Sequence, residues 1–326
     1  MTDPDGIPAR GLPLSARAPG KCILFGEHAV VHGCPELVLA IDLSTQVFVR
    51  SGARSSLNSD PDAPRSNPYF QAALDLSWKG GPAVDVRSVT RIPRAAGLGS
   101  SGAFVAALGA ALAAGTGGID RAGLARRAFE IERAAQGVGS PGDTAASVAG
   151  GYIALNGGPG DPLWSVSAGE RRWEVRRVED PRWVWVVAYS GVPRSTATAV
   201  RAVGERLAQP DGPSLLEEFA EVATAGIASV GRGDRRETGE LLRRNQELLR
   251  RVGVSHPRLE ELITAAAPAA EAAKVTGAGA GGSIVALPIA GQEGELVRRL
   301  ARAGALPFAV RAEPKGAGLI EAAAPG

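Results

Sequence analysis

Cysteine, histidine and methionine are scarce in this chain. Its 326 residues include two cysteines, three histidines and one methionine. Cys22 and Cys34 are twelve positions apart, which is outside the spacings of zinc-binding motifs, and three histidines add few further ligands. The sequence therefore does not predict a structural metal site.

Long apolar runs and a surplus of one charge are also missing. The longest apolar run, residues 103–114, is interrupted by Gly109 and is about half the length of a membrane span. The 36 basic and 34 acidic side chains leave a net charge of +2, without the excess that marks nucleic-acid or membrane-surface binders. Residues 1–13 contain Asp3 and Asp5 and no apolar segment, which predicts a frayed tail rather than a secretory signal. We therefore expect a cytoplasmic protein with neither nucleic acid nor membrane among its partners.

Glycine is abundant, with 43 residues, and one glycine-rich segment is the most informative feature of the chain. It reads Gly97-Leu98-Gly99-Ser100-Ser101-Gly102 and leads into a predicted apolar helix. The N–H groups at a helix N-terminus are unpaired, the helix dipole is positive there, and small side chains let a phosphate approach the backbone. The segment predicts a phosphate-bearing ligand, although an ordinary turn with an N-cap explains the same residues at this point.

Other phosphate-binding motifs fit this segment poorly. It satisfies the G-x-G-x-x-G pattern of dinucleotide-binding folds, but Pro93 separates the nearest strand-like segment, 84–89, from Gly97. The ribose-binding acid expected about 20 residues later is missing, because Asp120 begins a helical segment. The chain has no Walker A motif and no HRD or DFG element of protein kinases.

Hydrophobic periodicity predicts a mixture of strands and helices. Strand-like segments are 37–49, 84–89, 152–155, 173–178 and 183–188, with short strands around 277–282; helical segments are 101–114, 121–136, 143–149, 194–208, 214–231, 234–252 and 257–272. The order lacks the strict βαβ alternation of a doubly wound sheet, so we expect an α+β fold. A shift to longer helices places a domain boundary near residue 190, which predicts domains 1–190 and 191–326.

Charged residues around two of these segments are candidate functional residues. Lys21 precedes a short apolar strand, and Glu27 and His28 follow it; a snorkelling lysine and a structural histidine are the alternative interpretations. On the helix 121–136, Glu132 falls at the edge of the apolar stripe, whereas Glu130 points to the opposite side, toward Arg126 and Arg127. We therefore expect Glu130 to form a surface ion pair and Glu132 to be half-buried.

Two further features lie later in the chain. Asp143 follows a Ser-Pro-Gly segment and precedes a helix, so it is a candidate for catalysis or for an N-cap. Residues 274–283 form a second glycine-rich segment.

Three of these segments resemble, in order, the three motifs of the GHMP small-molecule kinases. They run from Pro19-Gly20-Lys21 to Gly33, from Gly97 to Ser101, and from Thr276 to Gly282. Within that family, residues 20–33 are similar to the mevalonate kinases, and residues 130–147 resemble their shorter archaeal type. The resemblance implies a two-domain α+β fold with the active site in the cleft between the domains. It also implies transfer of the γ-phosphoryl group of ATP, with Mg²⁺, to the 5-hydroxyl of mevalonate, and it leaves a homodimer open.

The resemblance assigns roles to individual positions. The implied ATP phosphate-binding residues are Gly97, Leu98, Gly99, Ser100, Ser101 and Gly102, and the implied Mg²⁺ ligands are Ser101 and Glu132. The implied catalytic pair is Asp143 and Lys21, the implied substrate contacts are Lys21, Glu27, His28, Asp143 and Thr196, and the cleft loop contains Gly277, Ala278, Gly279 and Gly281.

Four positions depart from the usual motifs of the family, namely Ala95, Gly102, Ala280 and Ser283, and each exchanges one small residue for another. The scaffold is shared with kinases that act on phosphomevalonate, on the 3-hydroxyl of mevalonate or on homoserine, and a non-catalytic nucleotide-binding homologue is a further alternative. Retention of Lys21, Glu132 and Asp143 argues against the non-catalytic alternative, because nucleotide binding alone needs only the glycines.

Overall fold

The computed structural model describes residues 7–8, 10–137, 139–193 and 196–321, with the side chains of residues 8 and 196–198 outside that description. The strands are β1 (Ile7–Pro8), β2 (Leu14–Phe25), β3 (Glu36–Ser51), β4 (Ser56–Leu57), β5 (Val84–Thr90), β6 (Gly118–Ile119), β7 (Tyr152–Leu155), β8 (Asp161–Ala168), β9 (Arg171–Val178), β10 (Trp185–Tyr189), β11 (Ala270–Thr276), β12 (Ser283–Pro288), β13 (Leu306–Val310) and β14 (Gly318–Leu319). The α-helices are α1 (Ala63–Ser66), α2 (Pro68–Ser77), α3 (Ser100–Gly115), α4 (Arg121–Gln136), α5 (Gly142–Ala149), α6 (Thr196–Leu207), α7 (Gly212–Gly231), α8 (Arg235–Arg251), α9 (Pro257–Ala266) and α10 (Glu293–Arg302). Short 3₁₀ turns cover Ala29–His32 and Ala267–Ala269.

The first sheet is built around the long antiparallel pair β2 and β3. Its order is β14-β2-β3-β7-β9-β8, with β5 also paired to β3 and β4 to β5. Leu37 to Ile41 of β3 are fully buried, as expected for a strand covered on both faces. Helix α3 packs against β2 and β3. It is rich in alanine and apolar on all sides, so it lies inside this half of the molecule.

The second sheet is antiparallel, with the order β11-β12-β10-β13. Helices α8 and α9 pack against β11, and α10 packs against β10 and β13. The amphipathic sequence of α8 explains its position, because Leu241, Leu242, Leu248 and Leu249 are buried while arginines occupy the opposite side.

Buried polar contacts join the two sheets and fix the position of the cleft. The Ile23 N–H donates to Thr276 Oγ1 at 2.8 Å, and that hydroxyl donates to the Ile23 carbonyl at 2.9 Å. The Ser283 hydroxyl donates to the Ala96 carbonyl at 2.8 Å. The chain passes from the first sheet to the second between β9 and β10, and β14 returns to the first sheet. The exact boundary at residue 190 stays a prediction.

The structure confirms the α+β prediction and corrects several of its details. The predicted helix 257–272 is wrong beyond Ala266, because residues 270–276 pair with β12 and this pairing overrides the helix propensity of the alanines. The predicted strands at 277–282 are wrong as well, since these residues form the turn between β11 and β12. The predicted frayed tail includes an ordered part, because Ile7 pairs with Ile119 and is 5% exposed. Within the described residues, the helices are too short or too polar to cross a bilayer.

Candidate active site

A cavity of about 400 Å³ opens where the two sheets meet. Strand β2, the loop before α3, helices α4 and α5, and the turn after β11 all contribute to its wall. The predicted site residues on this wall are Lys21, Glu27, His28, Gly97, Gly99, Ser100, Ser101, Glu132, Asp143, Gly277 and Ala278. The structure therefore brings together most of the residues singled out in the sequence.

The loop before α3 and the first residues of that helix line the cavity. Helix α3 begins at Ser100, and its N-cap residue Gly99 has a φ of 73° and provides no side-chain cap. A Cβ atom on Gly99 would lie 2.7 Å from Lys21 Cγ, so both the conformation and the packing require glycine. Unpaired N–H groups at the start of a buried helix form a binding site for an anion such as phosphate.

Leu98 and Gly102 support this loop from behind the cavity wall. Leu98 is 1% exposed, and its carbonyl accepts a hydrogen bond from the Lys21 N–H at 3.0 Å. A Cβ atom on Gly102 would lie 3.2 to 3.3 Å from Asp143 atoms. The absence of a side chain at Gly102 thus lets α3 and the start of α5 approach closely.

Lys21 and Asp143 form an ion pair at the mouth of this loop. Lys21 Nζ lies 2.9 Å from Asp143 Oδ1, and the Lys21 side chain is 2% exposed, whereas that of Asp143 is 31% exposed. Lys21 Nζ also donates to the Gly97 carbonyl at 3.3 Å. Lys21 lies inside β2 rather than before a strand, and its burial rules out the snorkelling alternative. The N-cap of α5 is Pro141, so the N-cap alternative for Asp143 is wrong.

Glu132 is more buried than the sequence predicted. Its residue is 8% exposed, and Gln136 Nε2 donates to its Oε1 at 3.4 Å. Burial, together with the nearby Asp143 carboxylate, raises the pKa of Glu132 to about 8. The predicted surface ion pair of Glu130 is present, with Arg127 Nε 3.1 Å from Glu130 Oε2.

Oxygen donors around Glu132 fit a hard divalent cation. The hydroxyl of Ser101 and the carboxylates of Glu132 and Asp143 line the same cavity, and Mg²⁺ prefers oxygen ligands of this kind. A cation beside Glu132 would favour its ionised form, which burial disfavours. Tyr69, which the sequence analysis missed, is a neighbour of this group, and burial raises the pKa of its hydroxyl.

Glu27 is held by a partner that the sequence analysis did not assign. Lys274 Nζ forms an ion pair with Glu27 Oε1, and the two side chains are 0% and 1% exposed. Burial raises the pKa of Glu27 and lowers the pKa of Lys274. The pair connects the segment after β2 with β11, and Glu27 lines the cavity.

The second glycine-rich loop packs backbone against backbone. A Cβ atom on Gly279 would overlap the Val254 carbonyl oxygen, and one on Gly281 would lie 2.9 Å from the Val192 carbonyl oxygen. His28 Nε2 lies 3.0 Å from the Ala278 carbonyl oxygen, which ties this loop to the first sheet. Thr196 is the first residue of α6, and its side chain lies outside the described part of the structure.

Glu36 is a further cavity residue that the sequence analysis missed. It is the first residue of β3, it is 1% exposed, and it lines the cavity. Burial and the neighbouring Asp143 raise the pKa of its carboxyl well above the ordinary range. The sequence offered one signal for Glu36, namely an acidic residue directly before the apolar segment 37–41.

Two regions of the chain match sequence models of one family. Residues 68–151 match the model described as GHMP kinases N terminal domain, and residues 225–306 match the model described as GHMP kinases C terminal. Together these regions make up just over half of the chain. The chain belongs to the GHMP kinases. The predicted family is thereby confirmed, and the protein is an ATP-dependent small-molecule kinase.

Relatives of this GHMP kinase include several archaeal enzymes. The chain is 34% identical to the mevalonate kinase of Archaeoglobus fulgidus over 280 residues, which cover 83% of this chain and 91% of the relative. It is 31% identical to the mevalonate kinase of Pyrococcus horikoshii, with coverage of 92% and 96%. The chain therefore spans nearly the whole length of both relatives.

Solved structures of the family share the same fold. The structure of L. major mevalonate kinase in complex with R-mevalonate gives a TM-score of 0.76 at 23% identity, covering 97% of this chain and 100% of that one. The phosphomevalonate kinase of Streptococcus pneumoniae also gives 0.76, at 18% identity, covering 92% and 99%. Because two kinases with different names score equally, the fold alone does not distinguish between substrates.

Proposed function

We propose that this GHMP kinase is a mevalonate kinase, which transfers the γ-phosphoryl group of ATP to the 5-hydroxyl of (R)-mevalonate. The archaeal relatives, aligned over most of their length, support this substrate. The observation that carries the chemistry is the ion pair of Lys21 with Asp143 beside the N-terminus of α3. We infer that this carboxylate and this ammonium group lie where an acceptor alcohol would meet a bound terminal phosphate.

The proposed reaction forms a bond between the acceptor oxygen and the γ-phosphorus and breaks the bond from that phosphorus to the β–γ bridging oxygen. The backbone amides of residues 97–102 are proposed to hold the phosphates, because this segment leads into the N-terminus of α3 and Gly97, Gly99, Ser100 and Ser101 line the cavity. Asp143 faces the acceptor hydroxyl and either accepts its proton or orients it, while Lys21 stabilises the negative charge that develops there.

Ser101 and Glu132 are the proposed Mg²⁺ ligands, and the bound ion would neutralise phosphate charge during transfer.

We expect Glu132→Gln to raise the Mg²⁺ concentration needed for half-maximal nucleotide binding by about tenfold or more, because a neutral amide is a weaker ligand for a hard cation. Titration of Mg²⁺ into the protein with a non-hydrolysable ATP analogue, followed calorimetrically, measures this shift. Glu130→Gln, on the exposed side of the same helix, is the matched control, and equal Mg²⁺ titrations for the two variants would remove Glu132 from the proposed site.

Gly99 offers a test of the phosphate-binding loop. Gly99→Ala is expected to weaken nucleotide binding by about tenfold or more, because its Cβ atom would collide with Lys21 Cγ and displace both the loop and the lysine. Gly80→Ala is the matched control, since Gly80 has the same φ of 73° and open space around its Cβ position. Equal nucleotide affinity in both variants, measured by calorimetry, would contradict the proposed role of the loop.

The remaining substrate contacts are proposed from the positions of the residues in the structure or in the sequence. His28 lines the cavity and is proposed to contact the substrate, and Thr196 is proposed from the resemblance. Glu27 is proposed to contact the substrate, and its ion pair with Lys274 also favours a structural role in which it holds this part of the cavity wall in place. The domain boundary near residue 190, the cytoplasmic location, the homodimer and the absence of nucleic-acid and membrane partners stay predictions from the sequence.

One assay tests the substrate. ADP release is measured with mevalonate, mevalonate phosphate, homoserine and galactose, and phosphorus NMR locates the new ester. The expected result is turnover of mevalonate with the phosphate on its 5-oxygen. Turnover confined to another alcohol, or a phosphate on the 3-oxygen, would overturn the proposal, and nucleotide binding without any turnover would favour the non-catalytic alternative.

A further inference from the structure

One carboxyl group of the cavity has no part in the reaction described above. Glu36 lines the cavity and is 1% exposed, and its Oε2 atom has no hydrogen-bond partner among the described residues. Leaving a buried polar oxygen unpaired is costly, so native proteins keep such atoms rarely. Oε2 is itself covered by protein atoms, so a ligand in the cavity reaches this carboxyl group through its other oxygen and gives the unpaired group a partner there.

The position of Glu36 is fixed by the backbone around it. Its strand β3 pairs with β7 at this residue, opposite Leu155. A Cβ atom on Gly26 would lie 2.7 Å from Glu36 Cα, so the preceding loop presses directly against the strand. The carboxyl group is therefore held at the end of a buried strand, rather than on a mobile surface segment.

The carboxyl group of Glu36 lies next to the proposed reaction centre. A Cβ atom on Gly142 would overlap Glu36 Oε2, so this oxygen is in contact with the backbone of Gly142. Asp143, the next residue along the chain, has its Cα atom about 3.8 Å from that of Gly142. A ligand group that reaches Glu36 is thus only a short distance from an alcohol that meets Asp143.

The surrounding charges limit what this ligand group can be. Asp143, Glu27, Lys21 and Lys274 all act electrostatically on Glu36. Lys21 Nζ is directed to Asp143 and to the Gly97 carbonyl, and Lys274 Nζ is directed to Glu27. A ligand carboxylate or phosphate at Glu36 would add another acidic group beside Asp143 and Glu27. A hydroxyl is compact and uncharged, and it can donate to a carboxylate or accept from a protonated carboxyl group.

We propose that Glu36 binds a second, non-reacting hydroxyl of the acceptor and makes the enzyme selective for acceptors that carry this hydroxyl two carbons from the reacting one. The inference rests on the proposed function, because mevalonate has a 3-hydroxyl in this relation to its 5-hydroxyl. Glu36 is then a substrate-binding residue that determines specificity, and Asp143 and Lys21 keep their roles at the reacting oxygen.

The test compares mevalonate with its 3-deoxy analogue, 5-hydroxy-3-methylpentanoate. We expect the wild-type enzyme to prefer mevalonate in kcat/KM by roughly 10- to 100-fold, the range expected for a buried hydrogen bond to a carboxyl group. Glu36→Leu should lose most of this preference through a lower kcat/KM for mevalonate, with little change for the analogue and an unchanged KM for ATP. Glu36→Gln should keep much of the preference, because the amide both donates and accepts hydrogen bonds.

The outcomes separate binding from structural support. If Glu36→Leu lowers kcat/KM equally for both acceptors, Glu36 supports Asp143 or the fold, and the inference is overturned. If the wild-type enzyme shows no preference for mevalonate over its 3-deoxy analogue, the inference is also overturned. This comparison needs no variant, so the test remains decisive if Glu36→Leu does not fold. Failure of the wild-type enzyme to phosphorylate mevalonate at all would instead remove the proposed function, so the two failures are distinguishable.

Discussion

Asp143→Asn and Asp143→Ala are both expected to lower kcat for mevalonate on the order of a hundredfold or more, while nucleotide binding survives. The carboxylate lies 2.9 Å from Lys21 Nζ and is the partly exposed member of the pair, so it faces the space that the acceptor enters. Neither substitution alters the backbone amides of residues 97–102 that we propose hold the phosphates. Steady-state turnover and calorimetric binding of a non-hydrolysable ATP analogue measure the two quantities separately.

The comparison of the two variants also distinguishes between the roles open to Asp143. If Asp143 takes the proton of the alcohol, asparagine and alanine should lose activity to a similar extent, because neither is a base. If it mainly orients the hydroxyl, asparagine should retain clearly more activity than alanine, since the amide oxygen still accepts a hydrogen bond. Glu130→Gln, a surface substitution on α4, is the control for a nonspecific effect of charge. Near-normal turnover in both Asp143 variants would remove this residue from the mechanism.

The local parts of the site could be predicted from the sequence because their physical causes are local. The loop 97–102 is recognisable from small residues before an apolar helix, and the orientation of Glu132 and Glu130 follows from helical periodicity. Lys21 and Asp143, in contrast, are 122 positions apart, and only the resemblance to a family placed them together. The ion pair observed between them agrees with that expectation.

The parts that sequence reasoning missed depend on contacts between distant segments. Lys274 looked like one residue of a glycine-rich loop, and its pairing with Glu27 depends on β11 meeting the segment after β2. The strand after Ala269 was missed for a similar reason. Its alanines favour a helix, but the pairing of β11 with β12 holds them in an extended strand. Glu36 was missed because one acidic residue beside an apolar strand gives no periodic signal, although its burial sets it apart in the structure.

Lys274→Met is expected to cost about 3–5 kcal/mol in the free energy of unfolding, because it leaves the Glu27 carboxylate buried without its counter-ion. Glu27→Gln combined with Lys274→Met should be less destabilising than Lys274→Met alone, since no unpaired charge then remains in the interior. Urea unfolding followed by tryptophan fluorescence measures these differences, because Trp185 is fully buried in β10 of the second sheet. Lys79→Met, at an exposed lysine, is the matched control.

The loss in the free energy of unfolding caused by Lys274→Met should also depend on pH, and the direction of this dependence can be predicted. Burial raises the pKa of Glu27 above its ordinary value of 4.5 even with the lysine present, and removal of the lysine raises it further. In the variant the folded state therefore binds a proton more tightly than the unfolded state, so its stability relative to wild type should improve as pH falls from 8 toward about 5. The double variant has no carboxyl group at position 27 and should lack this dependence. A Lys274→Met deficit that is the same at both pH values would show that lost packing, rather than the stranded charge of Glu27, causes the destabilisation.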